Sequence, residues 1–302
     1  MWKYYWNTFF KNKNRRQTPK NAQKQREAPI SNQISYRLLT PKIMPSVHQQ
    51  QGGEVVNAEW GSRVAIILPT YCEAENIADI IHAIERLEID STLLVIDDSS
   101  PDETNDIVCS LKEKRENILL LKRPHKMGLG TAITDGFRFL LELPQPPKYI
   151  ITMDADYSHN PQDIPKLLSL AENGCDLVIG SRYCNDGKVK GWNFTRILIS
   201  KVANKLTGFL IRLPLNDFTS GFRCYSRSYI LKALPQLHSE TYEIQIETLR
   251  QAKLQNSKIG EIPIVFENRK KGKSKLTLTE ITAFSKYIMK VTWEQLFEQR
   301  NQ

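Results

Sequence analysis

Long apolar runs are missing from this 302-residue sequence. Stretches such as Leu93–Ile96 and Ile118–Leu121 span four residues each, whereas a membrane-spanning helix requires roughly 20, so no transmembrane segment is expected. Met1–Phe10 is aromatic and runs into Lys11 without an apolar h-region, and no secretory signal is expected either. Cysteine is scarce: Cys72, Cys109, Cys175, Cys184 and Cys224 are odd in number, scattered, and never form C-x-x-C. That pattern excludes a disulfide scaffold and a zinc ribbon, and predicts reduced thiols in a cytosolic setting. The five histidines show neither metal spacing nor a partner serine, so none is assigned to catalysis. Glycine-rich phosphate loops are lacking too. Gly128-Leu129-Gly130 is followed by Ile133 where a dinucleotide finger needs glycine, and Gly272-Lys273-Ser274 has Glu267 where a P-loop needs its first one.

The net charge of +9 sits mostly at one end. Residues 1–60 hold ten Lys and Arg against three Asp and Glu, or +7, which leaves about +2 for residues 61–302. A nucleic-acid-binding face is therefore not expected on the folded part. Residues 1–60, rich in Gln, Asn, Lys and Pro, read as a disordered or loosely attached basic N-terminal extension. Its aromatic start either touches an anionic membrane surface or stays a solvated tail.

From Arg63 the texture changes. The β-rich runs Val64–Leu68, Leu93–Ile96, Ile118–Leu121, Tyr149–Met153 and Leu177–Ile179 are separated by helical stretches at Ala74–Leu87, Glu103–Arg115, Leu129–Leu141 and Asp163–Ala171. Such alternation predicts an α/β fold over residues 61–302, with a mostly parallel central sheet and helices on both faces. Further on, Trp192–Ile211 and Glu243–Gln255 read as helices, Gly221–Tyr225 and Ile259–Glu267 as strands, and Asn268–Lys275 as a basic loop. A C-terminal amphipathic helix is expected at about 277–297, with Leu278–Phe297 as its body. The two long helices either dock at an interface or pack on the core. No internal repeat is visible.

Ligands of parallel sheets bind at the carboxyl ends of the strands, and here those ends are polar: Pro69-Thr70-Tyr71-Cys72-Glu73, Asp97-Asp98-Ser99-Ser100 and Asp154-Ala155-Asp156. Successive carboxylates in one crevice are costly without a cation or a donor-rich ligand. Alternation puts Asp154 and Asp156 on one side, where they suit a hard divalent ion that bridges a diphosphate. The plainer alternative is a capping or turn motif.

These residues carry a resemblance. Pro69-Thr70-Tyr71, Asp97 to Asp102, Gly128 to Ala132, Met153 to His159, Gly180-Ser181-Arg182-Tyr183, Thr219 to Arg223, and Arg269 with Gly272 to Lys275 follow in that order. The pattern resembles the dolichol-phosphate (polyprenol-phosphate) mannosyltransferases, inverting glycosyltransferases of family 2 with a GT-A fold, over roughly residues 63–290. The resemblance implies transfer of mannose from GDP-mannose to a dolichyl or polyprenyl monophosphate at the cytoplasmic face of a membrane, with Mg²⁺ or Mn²⁺ as cofactor. The partners it implies are a nucleotide sugar, the lipid phosphate and a peripheral membrane contact, with a membrane-anchoring protein as one route. The alternative is a polyprenyl-phosphate glucosyltransferase using UDP-glucose.

By the same resemblance Pro69, Tyr71, Glu73, Ile96 and Asp98 line the nucleotide pocket. Asp154 and Asp156 hold the metal, and Met153 and Ala155 add backbone contacts. Arg182, Arg269 and Lys275 bind donor or acceptor phosphate, Arg196 and Ser200 take the acceptor phosphate, and Gln245 lies near the site. Asp217 is placed either as a base or as a structural turn. Cys72, Glu103 and Ser158 depart from the family's Asn, Gly and, in some relatives, metal-ligating Gln. The first two predict altered packing or turn geometry. The third removes one protein ligand from the metal.

Overall fold

The computed structural model describes residues 37–38, 62–269 and 286–289. The strands are β1 (Arg37–Leu38), β2 (Val64–Thr70), β3 (Ser91–Asp97), β4 (Ile118–Lys122), β5 (Tyr149–Thr152), β6 (Leu177–Ser181), β7 (Lys188–Lys190), β8 (Arg223–Ser226), β9 (Ile259–Pro263) and β10 (Val265–Glu267). The main sheet runs in the order β1-β4-β3-β2-β5-β8-β6-β9, and β10 pairs with β7 apart from it. Neighbours from β4 through β5 are parallel, as are β6 and β9. β8 runs antiparallel between β5 and β6, and β1 runs antiparallel along the edge strand β4.

Alternation along β2 shows why both faces are covered. Val64, Ile66 and Leu68 point to one side, into a cluster with Ile77, Ile80 and Ile84 of helix α1 (Ile77–Glu85). Helices α2 (Thr104–Lys112) and α4 (Ile164–Glu172) add Val108 and Leu167 to that cluster. Ala65 and Ile67 point the other way, toward Ile133, Phe137 and Leu140 of α3 (Leu129–Leu141). The second layer also holds α6 (Arg227–Ala233) and α7 (Ile244–Leu254). Each large aliphatic side chain so buried contributes about 1.5–3 kcal/mol.

From β2 the chain steps outward to β3 and β4, then returns to β5 on the other side of β2. That reversal opens a crevice at the carboxyl ends of β2 and β5, the ligand position of such sheets.

Several elements differ from expectation. The strand read over Ile259–Glu267 is two: Pro263 closes β9 opposite Ser181, with its missing N–H on the open edge of the sheet. After it, Ile264 turns the chain toward β7. The short strand β8 begins two residues later than read. Helix α6 was not foreseen; its cap is Ser226, whose hydroxyl accepts the Tyr229 N–H at 3.2 Å. Helix α5 (Phe194–Ile211) leaves Trp192 outside, because the Asn193 side chain caps it by accepting the Arg196 N–H at 2.9 Å. Asn204, Thr207, Leu210 and Ile211 form its buried side, while Leu198, Ile199, Val202 and Leu206 face outward with Phe194 (77% exposed) and Phe209 (73%). Of the expected C-terminal helix, residues 286–289 are helical, with Ile288 in the second core cluster and Met289 exposed. The rest of that helix, Met1–Phe10 and Lys275 lie outside the described residues.

Candidate active site

Two of the strand-end carboxylates are satisfied within the fold. Asp97 accepts from the Thr70 hydroxyl at 2.8 Å, the Ser100 N–H at 2.8 Å and the Asn105 amide at 2.7 Å, which ties β2, β3 and α2 together. Asp98 accepts from the Met127 and Gly128 N–H groups at 3.3 and 3.1 Å and pairs with Arg123. Surplus negative charge therefore collects at Asp154, Asp156 and Glu73, with the Arg269 guanidinium among them.

Asp154 and Asp156 follow β5 directly. Asp156 accepts the Ser158 N–H at 3.0 Å and pairs with Arg269 at 2.8 Å. Burial disfavours its charge, yet the Ser158 and Arg269 contacts hold its carboxyl below the usual range. Asp154 has the opposite fate: desolvation in the cleft and the neighbouring Asp156 charge push it up to about 7. Its backbone N–H donates to Nδ1 of His159 at 3.2 Å. Burial lowers that imidazole to about 4, so it is a neutral brace with its proton on Nε2, stacked on Phe222 at 5.1 Å.

Two cavities meet at this loop and share Leu129, Asp154, Asp156, Tyr242 and Arg269 as their common wall. The smaller, about 100 Å³, is lined by Pro69, Tyr71, Glu73, Asp98 and Ala155 among others. Lys126 lies over the Tyr71 ring, 4.2 Å from its centroid. Ile96 is a correction: its side chain is wholly buried in the core beside α3 and does not line the cavity, because period-two alternation turns it away. The Met153 side chain is likewise in the core.

The larger cavity, about 270 Å³, is reached by Arg182, Arg196, Ser200 and Gln245. Arg196 lies over the Trp192 ring at 4.1 Å, and burial together with Arg269 and Arg182 lowers its basicity. Ser200 accepts from the Tyr183 hydroxyl at 2.8 Å. Asp217 lines neither cavity. It is 0% exposed, accepts the Thr219 and Ser220 N–H groups at 3.1 Å, and pairs with Arg182 at 2.7 Å. Although burial opposes its charge, Arg182 holds its carboxyl below the usual range. This is the structural-turn alternative: Asp217 aims Arg182.

The acidic pair fits a divalent cation on its own chemistry. Two hard carboxylates with surplus charge suit Mg²⁺ or Mn²⁺, which takes one or two carboxylates and completes its shell with water and phosphate oxygens. Among the described residues no group of three or more His, Cys, Asp or Glu is placed to hold a metal alone. A diphosphate is the natural source of the remaining ligands.

Sequence reasoning missed His159, Tyr242 and the residues that fix the cavity wall. Glu247 accepts the His238 and Ser239 N–H groups, and Glu243 accepts those of Glu240 and Thr241. The segment so held packs on the Gly128–Gly130 turn, where the Gly130 N–H donates to the Glu240 carbonyl at 2.9 Å. A Cβ at Gly128 (φ +99°) would stand 2.4 Å from the same carbonyl oxygen. The glycines thus serve close approach, and only the i, i+4 spacing of the two glutamates hinted at it.

Comparison with known proteins identifies the family and the fold. The profile of the family described as glycosyl transferase family 2 matches residues 65–233. A curated relative, polyprenol monophosphomannose synthase of Mycolicibacterium smegmatis, is 33% identical over 241 residues, covering 79% of this chain and 90% of the relative. Undecaprenyl-phosphate mannosyltransferase of Micrococcus luteus is 37% identical over 218 residues, covering 71% and 88%. Among solved structures, glucosyl-3-phosphoglycerate synthase from Mycobacterium tuberculosis, in complex with Mn²⁺, UDP and phosphoglyceric acid, shares the fold at a TM-score of 0.56 and 18% identity, over 78% of each chain.

Proposed function

The chain belongs to glycosyltransferase family 2, and on that footing we propose that it moves mannose from GDP-mannose to a polyprenyl or dolichyl monophosphate, with inversion, at the cytoplasmic face of a membrane. The observation that carries this reading is the pair of cavities joined at Asp154, Asp156 and Arg269. The smaller suits a nucleotide. The larger opens beside Arg196, Ile199 and Ser200 of a helix whose apolar side chains face outward.

In this reading Asp154 and Asp156 would hold Mg²⁺ or Mn²⁺, which when bound would supply positive charge against the nucleoside diphosphate. Tyr71, Asp98 and Glu73 line the nucleotide side. Arg182, Arg196 and Arg269 orient the acceptor phosphate, and Ser200 with Tyr183 adds hydroxyls one helical turn from Arg196. A phosphate monoester has its second pKa near about 6 and is largely ionised at neutral pH, so it attacks the anomeric carbon without a general base. That removes the need for a histidine, and it is consistent with Asp217 serving Arg182 rather than the acceptor. Phe194, Leu198, Val202 and Phe209 rest in the lipid interface, which delivers the acceptor to the cavity. Lys275 joins Arg269 in gripping phosphate, and residues 1–60 act as an accessory extension.

Incubation of the protein with GDP-mannose, UDP-glucose and a polyprenyl phosphate, followed by mass spectrometry of the glycolipid, tests the reading. Mannolipid from GDP-mannose is the expected product. Glucolipid from UDP-glucose would replace the donor assignment, and no glycolipid from either would overturn the acceptor assignment.

A further inference from the structure

Gln245 stands in the first turn of α7 with its side chain against the larger cavity, and it is 2% exposed. Its backbone is fixed: the carbonyl accepts from Arg223 Nη1 at 2.7 Å, and its N–H donates to the Tyr242 carbonyl at 3.2 Å. Its amide is not fixed by the protein. Among the described residues neither Oε1 nor Nε2 has a hydrogen-bond partner. A buried, unpaired carboxamide is costly, and such groups in a well-packed interior call for an explanation.

The surroundings supply one. Beside it in the same lining is Gly221, at which an added Cβ would lie 3.4 Å from the Gln245 Nε2 and 3.8 Å from the Asp154 Oδ1. The missing side chain leaves space between the amide and the acidic loop. Asp154, Asp156, Arg182, Arg196 and Arg269 in the same lining are charged groups suited to a cation and phosphates. Gln245 is neutral, and it offers one acceptor and two donor hydrogens side by side. That is the chemistry of a polyol, whose hydroxyls each donate and accept.

We propose that the Gln245 amide reads a hydroxyl of the transferred sugar and thereby sets which sugar the enzyme accepts. The inference rests on the glycosyl-transfer reading of the site, and it deepens that reading by assigning the sugar subsite to Gln245 and Gly221. A site built around a hydroxyl discriminates strongly against the analogue without it, since the buried amide is then left unpaired.

The test uses the full chain with GDP-mannose, its four monodeoxy analogues and polyprenyl phosphate, in the wild type and in Gln245→Leu, Gln245→Glu and Gly221→Ala. Wild type is expected to lose kcat/KM roughly ten- to hundred-fold for one deoxy donor. Gln245→Leu is expected to lose a similar factor with GDP-mannose and to treat that deoxy donor and the parent alike, with GDP affinity unchanged. Gly221→Ala meets only ordinary contacts, and it should keep the fold and GDP binding while raising KM for the sugar donor. The proposal is overturned if Gln245→Leu discriminates among the analogues as wild type does, or if GDP affinity and folding fall in step with activity. If the wild type uses UDP-glucose instead, the mannose assignment fails separately, and the same comparison is made with deoxyglucose donors on UDP.

Discussion

Arg182 and Asp217 form a buried fork: Nε donates to one carboxylate oxygen at 2.7 Å and Nη2 to the other at 2.8 Å, with both side chains less than a tenth exposed. Nη2 also donates to the Thr219 hydroxyl at 2.6 Å, so the guanidinium reaches the larger cavity in one orientation.

Replacing Asp217 with Asn leaves that cation buried with half its partner. The expected loss is about 3–5 kcal/mol of stability, read as a shift in the urea midpoint. Because the folded carboxyl lies below its ordinary value, the stabilisation is complete above an unfolded pKa of about 3.9 and is lost as pH falls through the lower folded value. Wild type should therefore show a larger acid-destabilisation limb than Asp217→Asn, which keeps only the part due to other lowered carboxyls such as Asp156.

Asp156→Asn should retain the fold and lose turnover by a factor on the order of a hundred or more. Arg269→Ala should also cripple transfer, but it should weaken GDP binding less than Asp154→Ala does. Calorimetry with GDP and steady-state kinetics on the three variants check both statements; wild-type-like turnover in Asp156→Asn at saturating Mg²⁺ would make the acidic pair structural.

Cys72 adopts φ +54°, a left-handed conformation that Asn tolerates better than Cys. Its N–H already donates to the Ser100 hydroxyl at 2.9 Å, a contact that any side chain preserves. Cys72→Asn should raise stability by up to about 1 kcal/mol and leave KM for the nucleotide donor unchanged, as thermal melts and kinetics will show.

Phe194 and Phe209 make no demand on the core. Changing both to Glu should alter stability by no more than about 0.5 kcal/mol each, while abolishing sedimentation with anionic vesicles. Activity on a short, detergent-dispersed prenyl phosphate should survive. Loss of folding in the double variant would place those side chains against protein instead.

The parallel sheet was legible because strand and helix periods alternate cleanly from Val64 to Ile179, and Asp154 and Asp156 were legible because two carboxylates follow a mostly apolar strand. What escaped were relationships over distance. Arg182 and Asp217 are 35 residues apart, and neither one's surroundings predict that the other will consume it. Ile96 was placed in the pocket by the resemblance, yet side-chain alternation turns it into the core. Helix α5 showed apolar residues all round, and only its packed side, carrying Asn204 and Thr207, tells which of them face out. Arg123 follows an ordinary strand that ends at Lys122, and nothing local marks it as the buried partner of Asp98.

The contact of Gly128 and Gly130 with the 239–240 backbone bears on how relatives can be recombined. Main chain touches main chain there, so neither segment can be grafted alone without its counterpart. A chimaera that exchanges donor preference with a relative must carry residues 123–131 and 238–247 as one cassette, although more than a hundred residues separate them in the gene.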